Sequence, residues 1–474
     1  TAYEIPKRDW SSDVCSSDLN RHVNPQFRPL VYQRPSWARV ARVPPDSEQQ
    51  AADGAPAPLG SREVLRNRNV RAMLIYGSCL YTGLMLQAAA LGKQVYDITG
   101  REIDIGWIGL VEFLPAAALV LVTGVVADRF HRKKVVLIAV SGELLSAVAL
   151  MLYARSNPTA VAPIFLITLL YGIARAFVAP AARSIWPAIA PAGGLPAVVA
   201  LSSATWTGAA IAGPAASGLL YSIDPWVAYF VASLLIVIGM LSILRVDVPH
   251  VAAPPNQERP TFRHAIEGLV FIRRTPILLA AISLDLFAVL FGGAIALLPV
   301  IAEERLGVGD VAYGWLRAAV GIGAATMAIF LAWRPVRRRV GHKLFLVVAV
   351  FGVMTVVLGL THNYVIAFIA IVVMSAADMV SVFIRGSIVP LVTPDDKRGR
   401  VLAVENVFIG ASNELGAFES GVASQALGTA GAVVGGGVAT VGIAAAWWVL
   451  FPSLRHVDKF SDLEERAENR DNAA

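Results

Sequence analysis

The chain has 474 residues, of which 56% are hydrophobic and only 16% charged, with a formal net charge of +6. Soluble domains carry about 25% charged residues, so with a mean hydropathy of +0.61 a water-soluble globular fold is excluded. The two cysteines, Cys15 and Cys79, cannot build a disulfide framework or a metal cluster. The cations sit in short loops beside apolar runs, which fits membrane topology and gives no reason to expect nucleic acid as a partner.

Residues 1–62 precede the first apolar run and are expected to be an artefactual or disordered tail. Arg8-Asp-Trp-Ser-Ser-Asp-Val-Cys-Ser-Ser-Asp-Leu19 resembles translated sequencing adapter, so residues 1–19 are set aside from the fold. Residues 20–62 are rich in Pro, Arg and Ala without periodicity, and the first methionine, Met73, already lies inside the first apolar run.

Apolar windows broken by Gly, Pro and charge predict twelve membrane helices. They fall at 73–96, 105–126, 135–153, 160–180, 197–221, 226–244, 276–302, 311–333, 343–360, 364–386, 400–424 and 431–451. Helices satisfy their own backbone inside lipid, and the alternating ten-residue segments of a β-barrel do not occur.

Alternate loops differ sharply in charge. One set holds Arg129, Arg132, Lys133, Lys134, Arg183, Arg245 and Arg259, then Arg263, Arg273, Arg274, Arg334, Arg337, Arg338, Arg339, Lys343, Lys397, Arg398 and Arg400. The other set offers Arg101, Arg155 and Arg305. Lys and Arg collect in cytoplasmic loops, so both termini are expected in the cytoplasm.

The sixth connection, 246–275, is long and polar and ends in an amphipathic pattern, Phe262-Arg-His-Ala-Ile-Glu-Gly-Leu-Val-Phe-Ile-Arg-Arg274, suited to the membrane surface. It divides the chain into six-helix bundles at 63–245 and 276–452, followed by a cytoplasmic tail at 453–474. The halves repeat. Ser184-Ile-Trp-Pro-Ala-Ile-Ala-Pro191 matches Ser387-Ile-Val-Pro-Leu-Val-Thr-Pro394, and the same offset pairs Gly213 with Gly416 and Ser217-Gly218 with Ser420-Gly421. The expected fold is therefore an all-α membrane protein of two pseudo-symmetric six-helix bundles, and such repeats suit a secondary transporter with its binding site between them.

Gly124-Val-Val-Ala-Asp-Arg-Phe-His-Arg-Lys-Lys-Val135 resembles the signature G-x-x-x-D-R-x-x-R-[KR] of the major facilitator superfamily, with Gly124, Asp128, Arg129, Arg132 and Lys133 in its positions. Arg334-Pro-Val-Arg-Arg-Arg-Val340 is a degraded second copy without the acidic residue. Gly208-Ala-Ala-Ile-Ala-Gly-Pro-Ala-Ala-Ser-Gly218 is similar to the helix-5 antiporter motif, carried by Gly208, Gly213, Pro214 and Gly218, with Ser217 in place of one glycine. Pro394-Asp-Asp-Lys-Arg-Gly-Arg-Val401 and Ile409-Gly-Ala-Ser-Asn-Glu-Leu-Gly-Ala-Phe-Glu-Ser-Gly421 look like the bacterial enterobactin-exporter subgroup. The resemblance implies that Asp128 meets the N-terminus of helix 11 and latches the halves on the cytoplasmic side. A carboxylate is favoured at a helix N-terminus by about 0.3–1 kcal/mol.

Ionisable groups inside spans usually face a cavity or a partner. The candidates for proton coupling or for lining the cavity are Asp285, Arg317, Glu414 with its neighbour Asn413, Glu112, Asp378 and Lys93; Arg175 and Glu419 also lie within spans. Asp285 is expected either to take part in coupling, with Arg317 in reach, or to form a fixed salt bridge. Arg385 and Glu405 are expected to form a structural ion pair near the cytoplasm. Lys93 either binds ligand or snorkels to the interface. Glu143, on a peripheral helix, is expected to make an interhelical hydrogen bond. Trp206, Trp226 and Trp315 are candidate cavity aromatics, with interface anchoring the commoner role for Trp226.

No phosphate-cradling G-x-x-x-x-G-K-[ST] loop and no H-E-x-x-H pair occurs, so neither an ATP-driven pump nor a metalloprotease is supported. The expectation is a non-enzymatic, cofactor-free and metal-free monomer that exchanges protons for small amphipathic molecules such as drugs or siderophore-like compounds. An uptake permease of the same fold, or a non-transporting receptor or scaffold, remains open.

Overall fold

The structure, a computed structural model, describes residues 59–248 and 262–464, apart from the side chains at 120, 121, 124, 125, 127–129 and 262–265. The first half comprises α1 (Arg68–Thr99), α2 (Glu102–Arg129), α3 (Arg132–Arg155), α4 (Ala162–Arg183), α5 (Leu195–Tyr221) and α6 (Pro225–Leu244). An amphipathic linker helix, Phe262–Arg274, follows. The second half holds α7 (Pro276–Arg305), α8 (Asp310–Trp333), α9 (Val340–Leu360), α10 (Tyr364–Val392) and a 56-residue helical stretch, Asp395–Leu450. Gly428 breaks that stretch with φ 74°, a left-handed conformation glycine adopts without penalty, so it is two spans, α11 (395–427) and α12 (429–450).

Among the described residues, ten helices are long and apolar enough to cross a membrane. Dividing the last at Gly428 and adding the 28-residue α2 gives the expected twelve.

Local chemistry explains the helix ends. The Asn67 side chain accepts from the backbone N–H of Asn69 and Val70 to start α1, and Gly100 closes it at φ 58°. Asp224 caps α6 directly before Pro225. α7 is irregular: it passes through Gly292 into a 3-10 turn, Gly293–Leu297, and ends in a π turn, Ile301–Arg305.

Within the first half α1 packs on α5 and α6, α4 on α2 and α3, and α3 on α6. In the second half α10 packs on α8 and α9, α7 lies against both α11 and α12, and α9 meets α12 through Gly352 and Gly437. The halves meet along two seams. One joins α5 to α8, and the other joins α2 to α11.

The fold begins slightly before the first apolar run. Leu59 N donates to Gly193 O at 3.1 Å and Val64 is fully buried, so the last residues of the expected tail already touch the bundle. Residues 1–58 lie outside the described residues. At the other terminus Val340 N and Gly341 N donate to Asp458 O (3.2 Å) and Val457 O (3.0 Å), while Leu454, Val457 and Leu463 are buried against the second half. The tail after α12 is thus docked beneath α9.

Candidate functional site

Three ionic groupings occupy three depths. The first lies between the halves. Arg175 of α4 forms an ion pair with Glu112 of α2. Glu414 of α11 is within electrostatic range of both Arg175 and Arg317 of α8, and its carboxylate rests against Gly109 of α2. Two residues of each sign, two from each half, therefore converge. One aromatic pair lies beside them, Trp107 of α2 meeting Phe418 of α11 edge-on at 4.8 Å next to the Gly109–Glu414 contact; elsewhere half-exposed Trp206 of α5 meets Tyr81 of α1 at 5.1 Å. Asn413 turns its amide to its own helix, donating to Ile409 O at 2.8 Å. Trp226 stacks under the Arg155 guanidinium 5.5 Å from the ring centre, an anchoring contact at the loop.

The second grouping is buried in the second half. Arg385 Nη1 of α10 lies 2.7 Å from Asp285 Oδ2 of α7, both side chains under a tenth exposed, and Arg385 Nε donates to Ser381 Oγ at 3.2 Å. Asp378 and Glu405 stand within electrostatic range of the same guanidinium. Arg385 thus bridges directly to Asp285, with Glu405 only in electrostatic range, and Asp285 makes the salt bridge that was one of its two expected roles, with Arg385 and not Arg317. Depth explains it. At about 1.5 Å per residue, Asp285 lies about 14 Å from the Pro276 end of α7, whereas Arg317 lies about 24 Å from the Trp333 end of α8.

The third grouping closes the end of the bundle that bears few cations. Lys93 of α1 contacts Asp97 one turn on, and its Nζ lies 3.1 Å from Glu303 Oε2 of α7 and 3.7 Å from Asp310 Oδ1 of α8. Tyr96 Oη donates to Glu304 Oε1 (2.6 Å), Tyr221 Oη to Asp97 Oδ2 (2.6 Å), and Tyr313 Oη to Ala89 O (3.0 Å). Lys93 is therefore a seam residue, neither free in a cavity nor snorkelling. Beside it Gly218 and Gly314 bring the α5 and α8 backbones together; a Cβ on Gly218 would lie 2.8 Å from Gly314 Cα. Of the rest of the helix-5 motif, Gly213 admits α1 at Met85 and Leu86, Pro214 is buried, and Gly208 faces open space.

Of the loop signature, the side chains of Gly124, Asp128 and Arg129 lie outside the described residues. Arg132 donates to Ser184 O (3.1 Å), and Lys133 to Leu244 O and Val246 O (2.8 Å each), so these cations tie α3 to α4 and α6 inside one half. Glu143 departs from expectation. It is fully buried and neither carboxyl oxygen has a hydrogen-bond partner among the described residues, although Tyr76 of α1 and Tyr171 of α4 stand within electrostatic range.

Sequence reasoning passed over Asp97, Glu303, Glu304 and Asp310. The signal was there, in a lysine and an aspartate four apart at one end of α1 facing an acidic cluster at the same end of α7 and α8.

Twelve membrane helices in two six-helix bundles, meeting through α2, α5, α8 and α11 around an ionic centre, define a multi-pass membrane protein of the major facilitator fold, the fold of a class of membrane transporters. A family model described as transmembrane secretion effector matches residues 61–470, and the chain belongs to that family. Macrolide efflux protein A of Streptococcus pyogenes is 26% identical over 233 residues, 48% of this chain and 56% of that protein, so the chain spans about half the length of the curated relatives it matches. Among solved structures, a peptide transporter POT superposes with TM-score 0.67 at 12% identity, covering 87% of this chain and 99% of that one. A bacterial homologue of the human lysosomal transporter Spinster, inward-facing and unoccupied, gives 0.63 at 13%, covering 84% and 97%. A D-xylose–proton symporter gives 0.62 at 12%, covering 81% and 98%.

Proposed function

We propose that the protein is a proton-coupled exporter of small amphipathic molecules, working by alternating access across a bacterial inner membrane with both termini in the cytoplasm. The observation that carries this reading is the converging quartet Glu112, Arg175, Arg317 and Glu414, contributed equally by two halves that join at the cation-poor end. With loops rich in Lys and Arg placed in the cytoplasm, the Lys93 seam faces outward and the state described is closed to the outside. Paired opposite charges beside Trp107 and Phe418 suit a substrate with both polar and apolar faces, and a cationic amine can exchange onto Glu112 or Glu414. Asp285, Asp378 and Glu405 around a single Arg385 form the coupling site: carboxylates outnumber cations there, so proton uptake can neutralise the surplus. The helix-5 motif and the likeness to a macrolide efflux protein favour export over uptake.

The test is substrate-stimulated proton movement in proteoliposomes, screened with macrolides, other cationic drugs and catecholate chelators. The expected result is a saturable pH change that Glu414→Gln abolishes. Substrate flux indifferent to an imposed proton gradient would overturn the coupling, and inward accumulation the direction.

A further inference from the structure

A lateral groove of about 770 Å³ lies on the outside of the first half between α3 and α4 and belongs to none of the groupings above. Its walls are apolar: Ile138 and Leu145 of α3 are 74% and 68% exposed, and they face Leu170 and Phe177 of α4. Its floor is where Gly142 sits directly against Ala174. From His131 to Ala149 it follows eighteen residues of α3, about 27 Å at 1.5 Å per residue, longer than the roughly 15 Å hydrocarbon depth of one leaflet. Because α3 packs on α4 and α6 and on no helix of the second half among the principal contacts, an occupant of this groove rides with one bundle and is not handed across the membrane.

The mouth carries positive charge. Of three consecutive cations, the side chains of Arg132 and Lys133 are held by backbone carbonyls, while Lys134 is exposed, lines the groove, and its ammonium has no ion-pair or hydrogen-bond partner among the described residues. Among the described residues no acidic side chain lines the groove. An apolar slot with the Lys134 ammonium at its mouth is complementary to an amphiphile bearing a phosphate.

We propose that this groove binds an anionic glycerophospholipid, one acyl chain lying over Gly142 and Ala174 and the phosphate at Lys134. Its leaflet, the cytoplasmic one, rests on the orientation proposed above; the site itself does not.

The test uses the full chain in phosphatidylcholine nanodiscs containing traces of phosphatidylglycerol or phosphatidylcholine with a photoactivatable acyl chain, followed by mapping of the labelled peptides. Phosphatidylglycerol is expected to label 138–149 and 167–177 several-fold more than the lipid-facing sides of α6 and α9, with no such focus for phosphatidylcholine. Lys134→Gln should remove the preference between the two probes without changing Tm, and Ala149→Trp should remove the focused labelling itself. Equal labelling of α3, α6 and α9 (bulk lipid only), equal labelling by the two probes, displacement by transported substrate, or protection by a second copy of the chain would each overturn the proposal. A failed proton-flux assay would leave this result untouched, so the two readings fail separately.

Discussion

Lys93 Nζ on α1 lies 3.1 Å from the Glu303 carboxylate on α7, so one lysine of the first half is held by the second half at the cation-poor end of the bundle. With Asp310 also within 4 Å, and Tyr96 bonded to Glu304, this is the densest polar contact described between the two bundles. Opening that end requires Lys93 to release Glu303 and Asp310 while keeping Asp97, its partner on the same helix.

Replacing Lys93 with Gln is expected to favour the state open at this end. Losing interlobe attraction worth about 1 kcal/mol shifts the balance about fivefold. In a background lacking Cys15 and Cys79, a cysteine at Ala417 on the α2–α11 seam should react about fivefold faster with an impermeant maleimide added on the cation-poor side. An unchanged rate would remove the lysine from gating.

Gly218→Val places branched carbon against the Asp310 and Gly314 backbone, where even a bare Cβ clashes. The expected outcome is a folded, membrane-inserted protein with transport reduced at least tenfold, because α5 and α8 can no longer close. Wild-type flux in this variant would show that the seam tolerates separation.

Asp285→Asn removes the direct ion pair of the buried Arg385 guanidinium but leaves Asp378 and Glu405 in electrostatic range, so the loss falls below the about 3–5 kcal/mol of a buried pair broken outright. Thermal unfolding in detergent should show a marked fall in Tm. The double variant Asp285→Asn, Arg385→Met is expected to recover most of that stability yet fail to couple flux to a proton gradient. Recovery of both would reduce the pair to architecture.

The docked tail gives a pH dependence outside the membrane. The Arg339 backbone N–H, with help from the Arg338 guanidinium, holds the exposed Asp458 carboxyl below the ordinary aspartate value. A depressed carboxylate stabilises above its unfolded pKa of about 3.9, and that contribution disappears as pH falls through the lower folded value. Protection of the Val340 and Gly341 amides, which donate to the tail, should therefore be level between pH 7 and about 5 and decline only below about 4. Asp458→Ala should remove the decline and lower protection at every pH.

The spans were legible because hydropathy decides where a chain crosses a bilayer, and even the short α11–α12 joint was marked by the break around Gly428. The converging residues Glu112, Glu414 and Arg317 were legible for a related reason, since a charge within a span needs a wet or ionic neighbour. Which charge meets which was not. Arg385 could be matched to Glu405 or Asp285 only by knowing how deep each helix starts, and a shift of one turn moves a side chain about 5 Å. The Lys93 contacts were hidden for the same reason, compounded by the change of pitch in α7 that carries Glu303 to the lysine.

That change of pitch has a mechanical consequence. A rod with uniform hydrogen bonding transmits rotation along its whole length, whereas the Gly292–Arg305 stretch of α7 alternates tight and loose turns and so can absorb torsion locally. The part of α7 that bears Glu303 can therefore twist while the part bearing Asp285 stays held by Arg385. Loosening at the Lys93 end would then cost far less than parting the two bundles along both seams.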